Sequence, residues 1–203
     1  MNIIEDVPER LSEVEGIGPK RIAMIRKAWE EQKEIKEIMI FLQGHGVSST
    51  YSAKIYKQYG NQAIEIVKEN PYRLIQDIHG IGFVTADKIA QNIGIHPNSL
   101  IRVKAGLIHI LNELTEEGHV YYPEEDLIRK SREILKVDQE LITKAMTELS
   151  REKEIFLEEI NGLGKGKMVY LASFFVAETG IAQMLRRLQE SPSTIRPLHP
   201  EKA

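Results

Sequence analysis

The 203-residue chain has no cysteine, a single tryptophan and only 6% aromatic residues. Without cysteine it forms no disulfide and offers no thiolate to a metal, the usage expected of a cytoplasmic protein. Nor is there an excess of positive charge: 27 Lys and Arg against 30 Asp and Glu leave a net −3. That excludes a polybasic binder; if nucleic acid is held, only a few phosphates are engaged and salt weakens binding with a modest slope. No apolar run is long enough to span a membrane, and none reads as a signal peptide, because Met1-Asn2-Ile3-Ile4 runs straight into Glu5-Asp6. The six histidines show no metal-binding spacing. No nucleophile–base pair stands out. What remains, 42% hydrophobic residues over this length, suffices for a real core and two domains.

What is present is a repeat. Val14-Glu15-Gly16-Ile17-Gly18-Pro19-Lys20-Arg21-Ile22 and Ile78-His79-Gly80-Ile81-Gly82-Phe83-Val84-Thr85-Ala86 each place Gly-Ile-Gly between amphipathic helical segments. Pro8 and Pro71 stand ahead of the two turns, each suited to the first position of a short helix. Ile22 and Ile25 follow Gly18 by four and seven residues, as Ala86 and Ile89 follow Gly82, so each pair lies on one helical face, expected against a partner helix. This is the mark of a helix-hairpin-helix unit. A weaker third copy lies between them: Gly46-Val47-Ser48, with Ser52 and Ile55 at the same spacing. Ser caps a helix well but tolerates positive φ less readily than Gly. This copy is therefore expected to keep the fold and to bind phosphate poorly. A helical stretch, Asn61 to Asn70, precedes Pro71, with Ile64 and Val67 inward, whereas only Asn2 to Val7 precede Pro8. By repeat symmetry the chain is expected to be truncated at its start.

His96-Pro97-Asn98-Ser99 breaks the pattern and divides a helix-hairpin-helix domain, 1–97, from a second domain, 98–172. There Leu100 to Glu117 is a helix with Val103, Leu107, Ile110, Leu111 and Leu114 in one stripe, ended by Gly118. His119 to Tyr122 reads as a strand, Pro123 opens a helix to Leu135, and Asp138 caps another to Lys153. Ile155 to Ile160 and Met168 to Leu171 form a β-hairpin. Three helices followed by that hairpin make a winged-helix pattern. Residues 173–203 are a helix, Ala177 to Glu190, and a tail. The expected fold is thus mainly α: tandem helix-hairpin-helix units followed by a small winged-helix-like α+β domain.

The chemistry belongs to the hairpins. Gly16, Ile17 and Gly18, and Gly80, Ile81 and Gly82, form tight turns whose exposed N–H groups and following helix N-terminus favour an anion. Lys20 and Arg21 add cationic arms at the first; Thr85 and Lys88 are the nearest polar partners at the second, where Phe83 occupies a place that could have carried charge. DNA phosphate is the expected ligand, bound without base readout. The alternative is that the hairpins only brace helix packing. His45 and His79, beside the hairpins, read as packing or hydrogen-bonding residues, and Trp29 and Tyr51 as core or semi-core. The loop Gly162-Leu163-Gly164-Lys165-Gly166-Lys167-Met168 is one residue short of a phosphate loop, and Met168 stands where Ser or Thr must meet magnesium. It reads as a wing tip where Lys165 and Lys167 could touch DNA, or as a plain solvated turn. The helix Gln139 to Lys153 sets Glu140, Glu148, Glu152 and Glu154 beside Lys144, Arg151 and Lys153, a poor face for a DNA groove. Asp87 lies on the second hairpin's own helix, not where a helix-hairpin-helix glycosylase would need its carboxylate.

Gly16 to Lys20, Phe41 to Val47, Glu69-Asn70-Pro71-Tyr72-Arg73-Leu74, Gly80 to Phe83 and Thr85 to Ala90 together resemble the N-terminal region of stand-alone RecD-like (YrrC-type) DNA helicases. The stretches Val169 to Leu171, Glu178, Ile181-Ala182 and Arg186 to Leu188 resemble that family's approach to its motor. The resemblance implies a superfamily-one helicase moving 5′ to 3′ on DNA with ATP and magnesium, serving repair or recombination. Its motor would lie beyond Ala203, so this stretch itself should need no cofactor and hydrolyse no ATP. The implied partners are DNA, single-stranded or forked, and the motor domains. The rival reading is a structural module that braces the motor or docks a repair protein.

Overall fold

A computed structural model describes residues 3–159 and 166–191. The chain divides into two compact units, Met1–Arg102 and Val103–Ala203.

In the first unit, α1 (Ile3–Asp6) leads into a 3₁₀ turn, Pro8–Glu13, and then α2 (Pro19–Gly44), a helix of 26 residues. α3 (Ser49–Tyr59) follows, then a 3₁₀ turn and α4 (Ala63–Glu69). The 3₁₀ turn Pro71–Arg73 and α5 (Leu74–Asp77) lead to α6 (Phe83–Ile93). Both prolines open 3₁₀ turns, where a missing N–H costs nothing. The core gathers around α3 and α6: Leu42, Ile55, Val67, Leu74, Ala86 and Ile89 are all shut off from solvent. Val67 is buried as expected, and Ile64 is half-buried. Ile22 and Ile25, expected against a partner helix, are only half-buried. Of the long α2 only Ile38 and Leu42 are buried. The apolar spacing of the first copy is present, but Ile22 and Ile25 are less buried than Ala86 and Ile89 at the same places of the second copy.

In the second unit the elements run α7 (Leu100–Glu116), β1 (Tyr122–Pro123), α8 (Glu124–Leu135), α9 (Gln139–Arg151), β2 (Ile155–Glu159), β3 (Lys167–Leu171) and α10 (Ala172–Glu190). The antiparallel sheet has the order β1–β3–β2, with Tyr122 opposite Val169, Ile155 opposite Leu171 and Glu159 opposite Lys167. This is the element order that the winged-helix pattern calls for. The predicted α7 stripe is buried throughout, and Leu127 of α8, Ile142, Ala145 and Leu149 of α9, and Val169 of the sheet are buried in the same unit. Two boundaries differ from expectation. The first strand is only Tyr122–Pro123, at the sheet's edge, where Pro is tolerated because no ladder bond is lost on its open side. The last helix starts at Ala172, directly off β3, where the Ala172 N–H donates to the Glu154 carbonyl at 3.0 Å. Among the described residues no helix is long and apolar enough to cross a membrane.

Candidate nucleic-acid interface

All three copies share one backbone pattern at the first and third positions of the turn. The first glycine has positive φ in each: +86° at Gly16, +84° at Gly46 and +97° at Gly80. Such a φ is strained for any residue with a Cβ, which is why glycine stands there three times. The middle residue's N–H is drawn back onto the preceding helix end: Ile17 to Val14 and Ile81 to Ile78 at 3.1 Å, Val47 to Leu42 at 3.0 Å. The third residue is the N-cap of the next helix in extended backbone, with φ −89° at Gly18, −63° at Ser48 and −96° at Gly82.

That geometry corrects the φ argument about the middle copy. Position 48 never takes positive φ, so serine meets no strain there. The difference is chemical: the Ser48 hydroxyl accepts the Tyr51 N–H at 3.3 Å and takes up one of the helix's first donors. Gly18 and Gly82 bring no side chain to cap α2 or α6. A Cβ built on either would meet no atom within 4 Å. Neither φ nor packing within the chain demands glycine at these two positions. What glycine leaves is an open approach to backbone N–H groups at a helix N-terminus, with the dipole favouring an anion.

The predicted site residues take distinct places. Ile17 is half-buried and Ile81 is 3% exposed; each anchors its turn from below. Lys20 is exposed on the first turn of α2, beside Gly18. Arg21, also exposed, turns back and donates from Nη1 to the Gly16 carbonyl at 2.8 Å, so part of its guanidinium closes its own loop. Thr85 is half-buried on the first turn of α6. Lys88 is exposed but about 9 Å farther along the helix than Gly82, at 1.5 Å per residue. Phe83 is buried against Tyr72, ring centroids 6.0 Å apart, which explains why charge is absent there. Lys167 is exposed on β3 opposite Glu159; Lys165 lies outside the described residues. On α9, Arg151 is paired with Glu148, and Glu152, which follows the helix, is paired with Lys104 of α7.

Sequence reasoning missed a set of contacts that join the middle copy to the second hairpin. The Tyr51 hydroxyl of α3 donates to the Gly80 carbonyl at 2.6 Å. Lys54 Nζ donates to the neighbouring His79 carbonyl at 3.0 Å and lies 5.4 Å over the Tyr51 ring. In return, Asn92 of α6 donates to the His45 carbonyl of the middle copy at 2.9 Å. Each loop is thus held by the helix that follows the other. One signal was available: Lys54 follows Ser48 by six residues as Lys88 follows Gly82.

Asp87 is buried and accepts from Arg102 through both oxygens, at 2.9 and 3.2 Å, and from the Tyr72 hydroxyl at 2.6 Å. Burial alone would raise its pKa. The hydrogen bonds from Arg102 and Tyr72, with the guanidinium charge, outweigh that and hold it below the usual carboxylate range. The Tyr72 hydroxyl is pushed up, by burial first and then by its bond to the carboxylate. This carboxylate is committed to structure, in keeping with its unsuitability for glycosylase chemistry. Among the described residues no group of three or more His, Cys, Asp or Glu side chains could hold a metal.

Residues 31–121 match the family model described as the HHH domain of the ATP-dependent RecD2 DNA helicase. The matched span contains the middle and second copies with their mutual clasp, and the first hairpin lies ahead of it. The ATP-dependent RecD2 DNA helicase of Deinococcus radiodurans is 27% identical over 123 residues, covering 60% of this chain and 17% of that protein. The chain therefore spans under a fifth of the length of the relative it matches.

Proposed function

We propose, from a chain whose residues 31–121 belong to the helix-hairpin-helix domain family of RecD2 DNA helicases, that it holds DNA by the phosphate backbone without sequence preference. The observation that carries this reading is the pair of glycines Gly18 and Gly82: each heads a helix, each lacks any φ or packing reason to be glycine, and each faces open space. A phosphate oxygen approaching those N–H groups needs that space. Lys20, with the guanidinium of Arg21, supplies charge at the first hairpin. The net charge of −3 limits the footprint to a few phosphates, so affinity is modest. In this reading the region orients single-stranded or forked DNA for a 5′-to-3′ motor that uses ATP and magnesium, in the cytoplasm, during repair or recombination. The winged-helix-like unit takes a bracing role, because α9 mixes acidic with basic side chains and its Arg151 is paired with Glu148.

A second function is favoured by one feature, the outer face of α10. Ile181, Met184, Leu185 and Leu188 share that face and are 55–71% exposed. Such a stripe suits a protein surface, that of the motor or of a repair partner.

Fluorescence anisotropy of labelled single-stranded, duplex and forked DNA at two salt concentrations tests the first reading. Salt-sensitive binding indifferent to sequence, and weakened alike on all sequences by Lys20→Glu, is the expected result. No binding at low salt overturns it and leaves the bracing reading.

A further inference from the structure

The second hairpin has no cation on its own helix's first turn: where the first copy has Lys20 and Arg21, the second has Val84, 75% exposed, and Thr85. By sequence it is an anion seat without charge. The tertiary structure supplies the charge from elsewhere. Lys54 projects from α3, in a copy whose own turn is capped by Ser48, and its ammonium reaches the His79 carbonyl in the second loop. An ammonium has three N–H arms; the carbonyl takes one, and the side chain is exposed. Tyr51 fixes the adjoining carbonyl, and it lies so near that a Cβ on Gly80 would come within 3.1 Å of its hydroxyl. Ser48 in turn fixes Tyr51 by accepting its N–H.

We infer that Lys54 is the phosphate-contacting cation of the second hairpin, delivered by the middle copy, with Tyr51 as the positioning residue that holds the loop for it. The middle copy thus acts in binding through its helix and not through its own turn. With two successive carbonyls held on the α3 side, the loop is kept in one arrangement before DNA arrives, and less ordering is left to be done on binding. The ligand is a phosphodiester, recognised by charge and backbone N–H groups and not by base identity. This inference rests on the DNA-holding reading above.

The test uses the 203-residue chain and a fluorescein-labelled forked DNA of mixed sequence, titrated over a salt series. Each phosphate contact contributes about 0.9 to the slope of log affinity against log salt. Lys54→Met keeps the stem and removes the charge; it is expected to lower affinity severalfold at low salt and to flatten the slope by about 0.9. Lys54→Arg is expected to keep the parent slope. Tyr51→Phe is expected to weaken binding with the slope unchanged, and to speed hydrogen exchange at the amides of residues 80–83 in the absence of DNA. A Lys54→Met variant with the parent's affinity and slope, alongside a Lys20→Met variant that loses both, overturns the Lys54 assignment and leaves the DNA-holding reading intact. A parent chain that binds no DNA at low salt overturns both. Unchanged amide exchange in Tyr51→Phe overturns the positioning role even where Lys54 contacts DNA.

Discussion

The first and second hairpins carry the same three-residue turn and differ in almost everything that surrounds it. Gly16 and Gly80 share positive φ, and Gly18 and Gly82 share an extended N-cap. Yet Ile89 is 1% exposed and Ala86 fully buried, whereas their counterparts Ile25 and Ile22 are half-buried. The first loop is closed by its own helix through Arg21, the second by a helix 29 residues earlier through Tyr51. The turn is a local property, set by glycine's conformational freedom and two or three short hydrogen bonds. Rigidity and burial belong to the pair of copies that clasp each other. The matched family span, 31–121, covers that pair and begins after the first hairpin.

The largest effect that would break this comparison lies at the Asp87–Arg102 pair, which ties α6 to the last residue of the first unit. Both side chains are 11–12% exposed, so Arg102→Ala leaves a buried carboxylate uncompensated and should cost about 3 kcal/mol in urea denaturation. Because the folded pKa of Asp87 is depressed, its contribution is whole above the unfolded value, about 3.9, and is lost as pH falls through the lower folded value. Asp87→Asn removes that linkage, so its stability should be lower at neutral pH and fall less steeply below about pH 4. An acid profile parallel to the parent's would show that the pair carries no such linkage.

The core offers the next contrast. Ile89→Ala should cost about 3 kcal/mol and Ile25→Ala only about 1 kcal/mol, since the cost follows burial and the cavity left behind. Equal losses would mean that the first hairpin is packed as tightly as the second. Third come the turn glycines. Gly16→Ala meets only the φ penalty, about 1–2 kcal/mol. Gly80→Ala adds a 3.1 Å contact with the Tyr51 hydroxyl and should cost more. Thermal melts of the two variants decide the order.

The smallest stability effect is the most informative about function. Gly82→Ser gives the second copy the residue of the middle one, in backbone that serine accepts; the midpoint of unfolding should move by less than about 0.5 kcal/mol. DNA affinity should fall all the same, because the new side chain caps the N–H groups that phosphate would use. A variant that keeps full affinity would show that phosphate does not use the N–H groups at Gly82.

The alternation of glycine and apolar residues was enough to read the hairpins, and Ser48 was enough to mark the middle copy as different. The residue type offered two reasons for that difference, capping and poor tolerance of positive φ, and the structure keeps only the first: the Ser48 hydroxyl takes up the Tyr51 N–H, and φ there is −63°. Lys54 could not be singled out, because helical spacing shows which face a residue shares with its neighbours in sequence and not which loop stands opposite. The seven-residue loop in the β-hairpin could be dismissed as a phosphate loop by spacing alone.

Sequence alone determined the turn glycines, the α7 stripe and the winged-helix order of elements, though not where the last helix starts. All of these depend on residues within a few positions of one another, through φ preference, capping and periodicity. The tertiary structure decided that the middle copy grips the second hairpin, that Arg102 neutralises Asp87, and that the first hairpin is left half-covered. Those outcomes turn on groups far apart in the chain meeting at hydrogen-bonding distance, and no local pattern encodes a distance of that kind.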